Sequence, residues 1–278
     1  KTCDAGQAAA SASVACSACL TGKYQGTTPS IVYNCTTCAA GQAAATDGSA
    51  TSCETCINGT FQEDTPATVY NCKTCDKGKA AASATATSCT DCVAGRYQDN
   101  PNKYRCTECG TGKYNTQVKS ISKMNCSSCS MGTYSMSLGR NNKDDCHFCA
   151  PGTVSNVSGA SDMNTCIKCI SGRYQKEAGQ TICDACPAGK FNNGSGFAYC
   201  EPCLPGRSNN ITASTVCTVC DLGYFSDTTE AVTCDACPTG STANSEESIR
   251  CEACSAGKLL SLHFNSVFTY SNKFVVFF

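Results

Sequence analysis

Before residue 258 no stretch of the chain keeps apolar residues at helical spacing. Apolar positions come singly or in short scattered runs, and several are aromatic rings just behind a glycine: Tyr24, Phe61 and Tyr97 each stand two residues after Gly22, Gly59 and Gly95. That pattern predicts strands of two to four residues, paired as small hairpins, with turn and loop for most of the chain.

The punctuation is far more regular than the apolar pattern. After Cys3 every cysteine belongs to a Cys-x-x-Cys pair, from Cys16/Cys19 to Cys251/Cys254, and 12 to 16 residues separate each pair from the cysteine before it. A glycine follows the second cysteine by three residues in every unit, from Gly6 to Gly257. Glycine takes positive φ or admits another backbone, so it reads as the turn that carries the chain away from each node. Two loop types follow it. The aromatic type alternates in the first third with a small type such as Gly41-Gln42-Ala43-Ala44-Ala45, which makes a doublet of about 36 residues, two loops of the spacing counted above. Units that touch only their neighbours predict an elongated, rod-like tandem array of small disulfide-rich repeats with short β-hairpins.

Composition explains why staples are needed. The 278 residues include 29 cysteines and no tryptophan, and small residues fill the loops, so burial per residue is too low for one ordinary core. Cysteine at this density implies an oxidising, extracellular or cell-surface setting. No basic segment leading into an apolar one opens the chain, so a leader that has been removed is expected. A net charge of -1 without charged blocks argues against nucleic acid as a partner.

The unit Cys92-Val-Ala-Gly-Arg-Tyr97, continued by Cys106-Thr-Glu-Cys109, resembles the cysteine-rich repeats of ephrin-receptor-like and tumour necrosis factor receptor-like proteins, and the long uniform array is also similar to ciliate surface antigens. The resemblance implies modules in which the first cysteine pairs with the third and the second with the fourth. This gives Cys16 to Cys35, Cys19 to Cys38, Cys53 to Cys72, Cys56 to Cys75, Cys89 to Cys106, Cys92 to Cys109, Cys126 to Cys146 and Cys129 to Cys149. Further on it gives Cys166 to Cys183, Cys169 to Cys186, Cys200 to Cys217, Cys203 to Cys220, Cys234 to Cys251 and Cys237 to Cys254. The matching division is a truncated repeat at 1–15, modules at 16–52, 53–88, 89–125, 126–165, 166–199, 200–233 and 234–257, and an apolar tail at 258–278. A daisy chain, Cys3 to Cys16, Cys19 to Cys35 and onward, leaves Cys254 over instead of Cys3 and stays open.

Cys-x-x-Cys pairs at this separation also approach zinc-ribbon spacing, and one pair alone could act in redox exchange. The length of the array and its sugar sequons weigh against zinc, and nothing singles out one pair for redox work. Sequons occur at Asn34, Asn58, Asn125, Asn156, Asn193 and Asn210; a cysteine in the middle position makes Asn34 and Asn125 the weaker acceptors. Glycans are thus expected, and no cofactor. His147 and His263 stand without a second histidine, Asp144-Asp145 and Glu246-Glu247 read as solvated charges, and no nucleophile and base can be assembled, so no catalytic or metal site is assigned. The tail holds Leu259, Leu260, Phe264, Phe274 and Phe278 but is broken by His263 and Lys273. It is too polar for a membrane span, matches a lipid-anchor signal weakly, and reads either as translated noncoding sequence or as an assembly segment. The expectation is a non-enzymatic, secreted or surface structural protein that self-associates as a coat or fibre, with a receptor-like ectodomain binding a protein ligand as the alternative.

Overall fold

A computed structural model describes residues 2–26, 34–44, 50–63 and 71–255. The tail at 258–278, with His263 and the expected assembly role, lies outside the described residues, as does Gly257. The chain divides into two compact units, Lys1–Lys168 with Gln175–Cys183 and Cys169–Tyr174 with Asp184–Phe278.

Both units are built from one element. The two residues after each node glycine pair antiparallel with the two residues enclosed by the next Cys-x-x-Cys, as in Lys23–Tyr24 with Thr36–Thr37 and Ser241–Thr242 with Glu252–Ala253. Fourteen such two-stranded sheets occur among the described residues. Each starts from a tight turn, in which the N–H after the glycine returns to the carbonyl after the cysteine, as from Lys23 to Leu20. Each is closed by the second cysteine's N–H, which donates to the glycine carbonyl, as from Cys38 to Gly22.

Loop length decides the remaining structure. Where the bonded cysteines are 17 apart, the extra residues wind into single 3-10 turns at Lys123–Asn125, Lys143–Asp145 and Met163–Thr165, all in the first unit. Each turn begins with a side chain that accepts a backbone N–H two residues on, from Ser122, Asn142 and Asp162. Asp145 completes the cap at Asn142 by accepting its N–H, so it is a structural group rather than the free charge the sequence suggested. In the second unit the described loops close with a separation of 14 and carry no such turn.

The core is almost without large apolar side chains. Buried apolar residues are cysteine and alanine, joined by Tyr97. Tyr97 packs on Cys109 and Cys126, and Tyr24 packs on the cluster holding Cys38 with Cys53, so each of these rings covers the disulfide of the following unit.

Candidate functional site

The repeated node is the constellation that recurs among the described residues, and the disulfides define it. They form the daisy chain: Cys3–Cys16, Cys19–Cys35, Cys38–Cys53, Cys56–Cys72, Cys75–Cys89, Cys92–Cys106, Cys109–Cys126, Cys129–Cys146 and Cys149–Cys166. The second unit continues with Cys186–Cys200, Cys203–Cys217, Cys220–Cys234 and Cys237–Cys251. Cys169 and Cys183 are disulfide-bonded as well, and Cys254 is the free thiol. The modular pairing implied by the resemblance is therefore corrected throughout. Cys16 does not bond Cys35, Cys19 does not bond Cys38, and Cys3 is not the cysteine left over. Bonds such as Cys38–Cys53 cross the borders drawn on the modular register.

The reason lies in the strand between paired cysteines. Residues three apart on extended backbone present side chains to opposite faces. Cys16 and Cys19, on either side of Ser17–Ala18, thus face away from each other. One sulfur turns back to the cysteine before its own hairpin and the other opens the next link. Two cysteines of one pair cannot both reach the two of the next. The Cα separations, 5.5 to 5.8 Å among the bonds above, match unstrained disulfides.

Between the links runs a feature that the sequence reading missed. The third residue after every described node glycine is buried, from Ala9 through Gln25, Gln62, Asn115 and Asn192 to Ala243, each at most 6 % exposed. Its carbonyl accepts the preceding unit's glycine N–H, as Asn115 accepts from Gly95 at 2.7 Å, and its own N–H donates into the next loop, as to Arg140 at 3.0 Å. Side chains then lock the rung. Asn115 Nδ2 donates to Ser120 Oγ at 2.7 Å and its Oδ1 accepts from the N–H of Gln117 at 3.0 Å. Asn192 and Asn209 donate back to the carbonyls of Arg173 and Lys190 in the preceding unit. The longer Gln98 and Gln175 reach their own loops instead, at the carbonyls of Arg105 and Ile182. The signal in the sequence was the steady Ala, Ser, Asn or Gln at that position.

A second left-handed residue sits in the loops. Asn102, Lys119, Ala213, Glu230 and Glu247, with Gly139, Gly159, Gly179 and Gly196, have positive φ and donate their N–H to a cysteine carbonyl, as Asn102 does to Cys75 and Lys119 to Cys92. That cysteine closes the hairpin two places earlier. The loop carbonyl then lies against the earlier node glycine: a Cβ on Gly95 would stand 2.1 Å from the oxygen of Gly139. Contacts therefore reach the second neighbour, and the expectation of neighbour-only contact is corrected. Ion pairs follow the same spacing, Lys190 to Glu230 at 3.0 Å and Arg207 to Glu247 at 2.5 Å. The hydrogen bond from Arg207, more than its charge, holds the Glu247 carboxyl below its ordinary value, and the same bond raises Arg207.

Asn58, Asn156, Asn193 and Asn210 are exposed, as is Asn34; Asn125 is half-buried and commits its Nδ2 to Gln117 at 3.1 Å. Asn156, Asn193 and Asn210 share one place in the repeat, directly after the buried rung. His147 is exposed and faces Tyr134 across its hairpin, ring centres 5.8 Å apart. Among the described residues no three His, Cys, Asp or Glu side chains gather as for a metal ion, and no helix is long and apolar enough to cross a membrane.

Residues 158–196 match the family model described as tyrosine-protein kinase ephrin type A/B receptor-like. That stretch carries Cys166, Cys169, Cys183 and Cys186 with the rung residues Gln175 and Asn192. No curated protein matches the chain. The chain is a tandem array of small cysteine-rich repeats, ephrin-receptor-like over residues 158–196.

Proposed function

We propose that this ectodomain-like array is a non-catalytic structural protein of the cell exterior, which associates with copies of itself as a coat or fibre and carries N-linked sugar. The observation that carries the reading is uniformity: among the described residues hairpin, disulfide and buried rung recur from Gly6 to Ala253 without a unit that abandons the scheme. A catalytic or ligand-binding centre is usually built by breaking such a scheme. Disulfide density and the ephrin-receptor-like match fit an extracellular or surface place. Self-association is supported by exposed aliphatic residues directly after the second cysteine, Leu20, Ile57 and Val93 in alternate repeats of the first unit and Ile170 in the second. Open apolar surface in register with a repeat is contact surface for another chain.

Analytical ultracentrifugation and electron microscopy of the oxidised full chain test this. Ordered assemblies are expected, and Leu20→Ser with Ile57→Ser and Val93→Ser should weaken them while leaving the disulfides intact. A strictly monomeric chain at every concentration would overturn it.

The match at 158–196 favours a second reading, a receptor-like ectodomain that holds a protein ligand through its loops. It predicts a monomer that binds one partner saturably, with the loss of binding mapping to one stretch of loops.

A further inference from the structure

We infer that Asn193 carries an N-linked glycan whose first N-acetylglucosamine lies in a preformed seat on the second unit, bounded by Phe191, Leu204, Val216 and the Arg207–Glu247 ion pair. The inference deepens the secreted-glycoprotein reading and rests on it for the attachment step. In that step Asn193 Nδ2 displaces pyrophosphate from C1 of a lipid-pyrophosphate-linked oligosaccharide. The C1–O bond breaks, the N–C1 bond forms, and one amide proton leaves with the lipid pyrophosphate.

The seat is visible in the residues around the sequon. Asn193, Phe191, Leu204, Val216, Arg207 and Glu247 line one cavity of 460 Å³, within the range of small-molecule clefts. Leu204 and Val216 are 62 % and 57 % exposed, an aliphatic floor with no protein group above it among the described residues. Phe191 adds a half-buried ring two residues before the acceptor. The C–H face of a pyranose covers aromatic and aliphatic carbon, and its acetamide and hydroxyls meet the guanidinium and carboxylate at the rim. The acceptor is also held in place. Buried Asn192 donates to the carbonyl of Arg173 at 2.9 Å and accepts from the N–H of Gly194 at 3.0 Å, which fixes the turn through the sequon. A Cβ on Gly194 would meet the Phe197 ring at 2.6 Å, so a larger middle residue requires that exposed ring to shift. Asn210 occupies the same place in the next unit, but Ser208 stands where Phe191 stands, so it has no ring two residues before it.

The full chain secreted from eukaryotic cells tests the seat by glycopeptide mass spectrometry and hydrogen exchange. Asn193 should be occupied, and amides at 203–217 should exchange several-fold faster after removal of the whole glycan, yet stay protected when it is trimmed to a single N-acetylglucosamine. Ser195→Ala, which removes the sequon and leaves the cavity intact, should reproduce the fast exchange. Phe191→Leu should keep occupancy and abolish the difference between glycosylated and bare chains. Sugar at other sequons with Asn193 bare, or exchange indifferent to the Asn193 glycan, overturns the seat alone. Absence of sugar from every sequon overturns the seat together with the glycoprotein reading.

Discussion

Two places in each repeat adopt the same left-handed backbone, and they are filled differently. The node position, with φ of +79° at Gly132, is glycine in every unit. The loop position, with φ of +56° at Lys119 and +61° at Glu247, takes lysine, glutamate, alanine or asparagine as readily as glycine. Positive φ alone costs an L-residue about 1–2 kcal/mol, which a stapled scaffold tolerates. Space separates the two places. A Cβ on Gly132 would stand 2.0 Å from the carbonyl oxygen of Gly179, whereas on Gly139 its nearest neighbour is the Glu108 side chain at 3.4 Å. At the node glycines that meet a loop backbone, such as Gly95, Gly132 and Gly206, the residue thus answers to the second-neighbour contact as well as to the turn.

The comparison breaks most directly at Gly132. Gly132→Ala combines left-handed strain with overpacking against backbone and should cost roughly 2–5 kcal/mol. Hydrogen exchange should show protection lost both at the node and at Gly179, and a loss confined to one of them would sever the link drawn between them. Next in size is Asn115→Ala. It leaves the N–H of Gln117 without its acceptor and takes from Ser120 Oγ the donor it accepts from, while the bond from Ser120 to the Gln117 carbonyl stays, at roughly 1–3 kcal/mol, read by denaturant unfolding of the first unit.

Substitutions at the loop position should be milder. Gly139→Ala is expected to cost about 1–2 kcal/mol, the conformational share alone. Ala213→Gly, at φ of +58°, should be neutral or stabilising by up to about 1 kcal/mol, as strain relief and added unfolded-state entropy oppose each other. If Gly139→Ala proved as damaging as Gly132→Ala, conformation rather than space would be the cause.

The smallest effect concerns what a loop side chain adds. Because the Arg207 hydrogen bond holds Glu247 below its ordinary value, its contribution is present above that value and is lost as the pH falls through the depressed one. Thermal unfolding should show a slight loss on acidification, absent in Arg207→Gln. The pair is exposed, so added salt should shrink the effect too.

Much of this architecture was legible from Cys-x-x-Cys and the following glycine: short hairpins, sparse core, staples in place of burial. The pairing was not. Joining Cys19 to Cys35 or Cys16 to Cys35 closes loops of nearly equal length, and closure entropy depends too weakly on length to choose between them. The choice is made by the opposed faces of Ser17–Ala18, a property of backbone direction rather than of spacing. The rung escaped because Ala44, Asn115 and Gln98 look unrelated as residue types and share only modest size and position. The loop contact escaped because Lys119 and Glu230 do not announce positive φ. Of the proposed seat, the sequon at Asn193 was legible, whereas Leu204 and Arg207 reach it only through folding.

The pairing has a mechanical consequence. Each bond from Cys19–Cys35 onward closes its own ring of chain, and consecutive rings share no residue, joined only by the two residues between paired cysteines. A protease that cuts within a ring leaves both pieces fastened by the disulfide. Between Cys19 and Cys251 only the short bridges, such as Thr36–Thr37 or Glu54–Thr55, offer a cut that parts the molecule, and each is already bound edge to edge in a hairpin. The protein is in effect a string of closed links, and the bridges between them are guarded by hairpin pairing alone, because their side chains stand exposed.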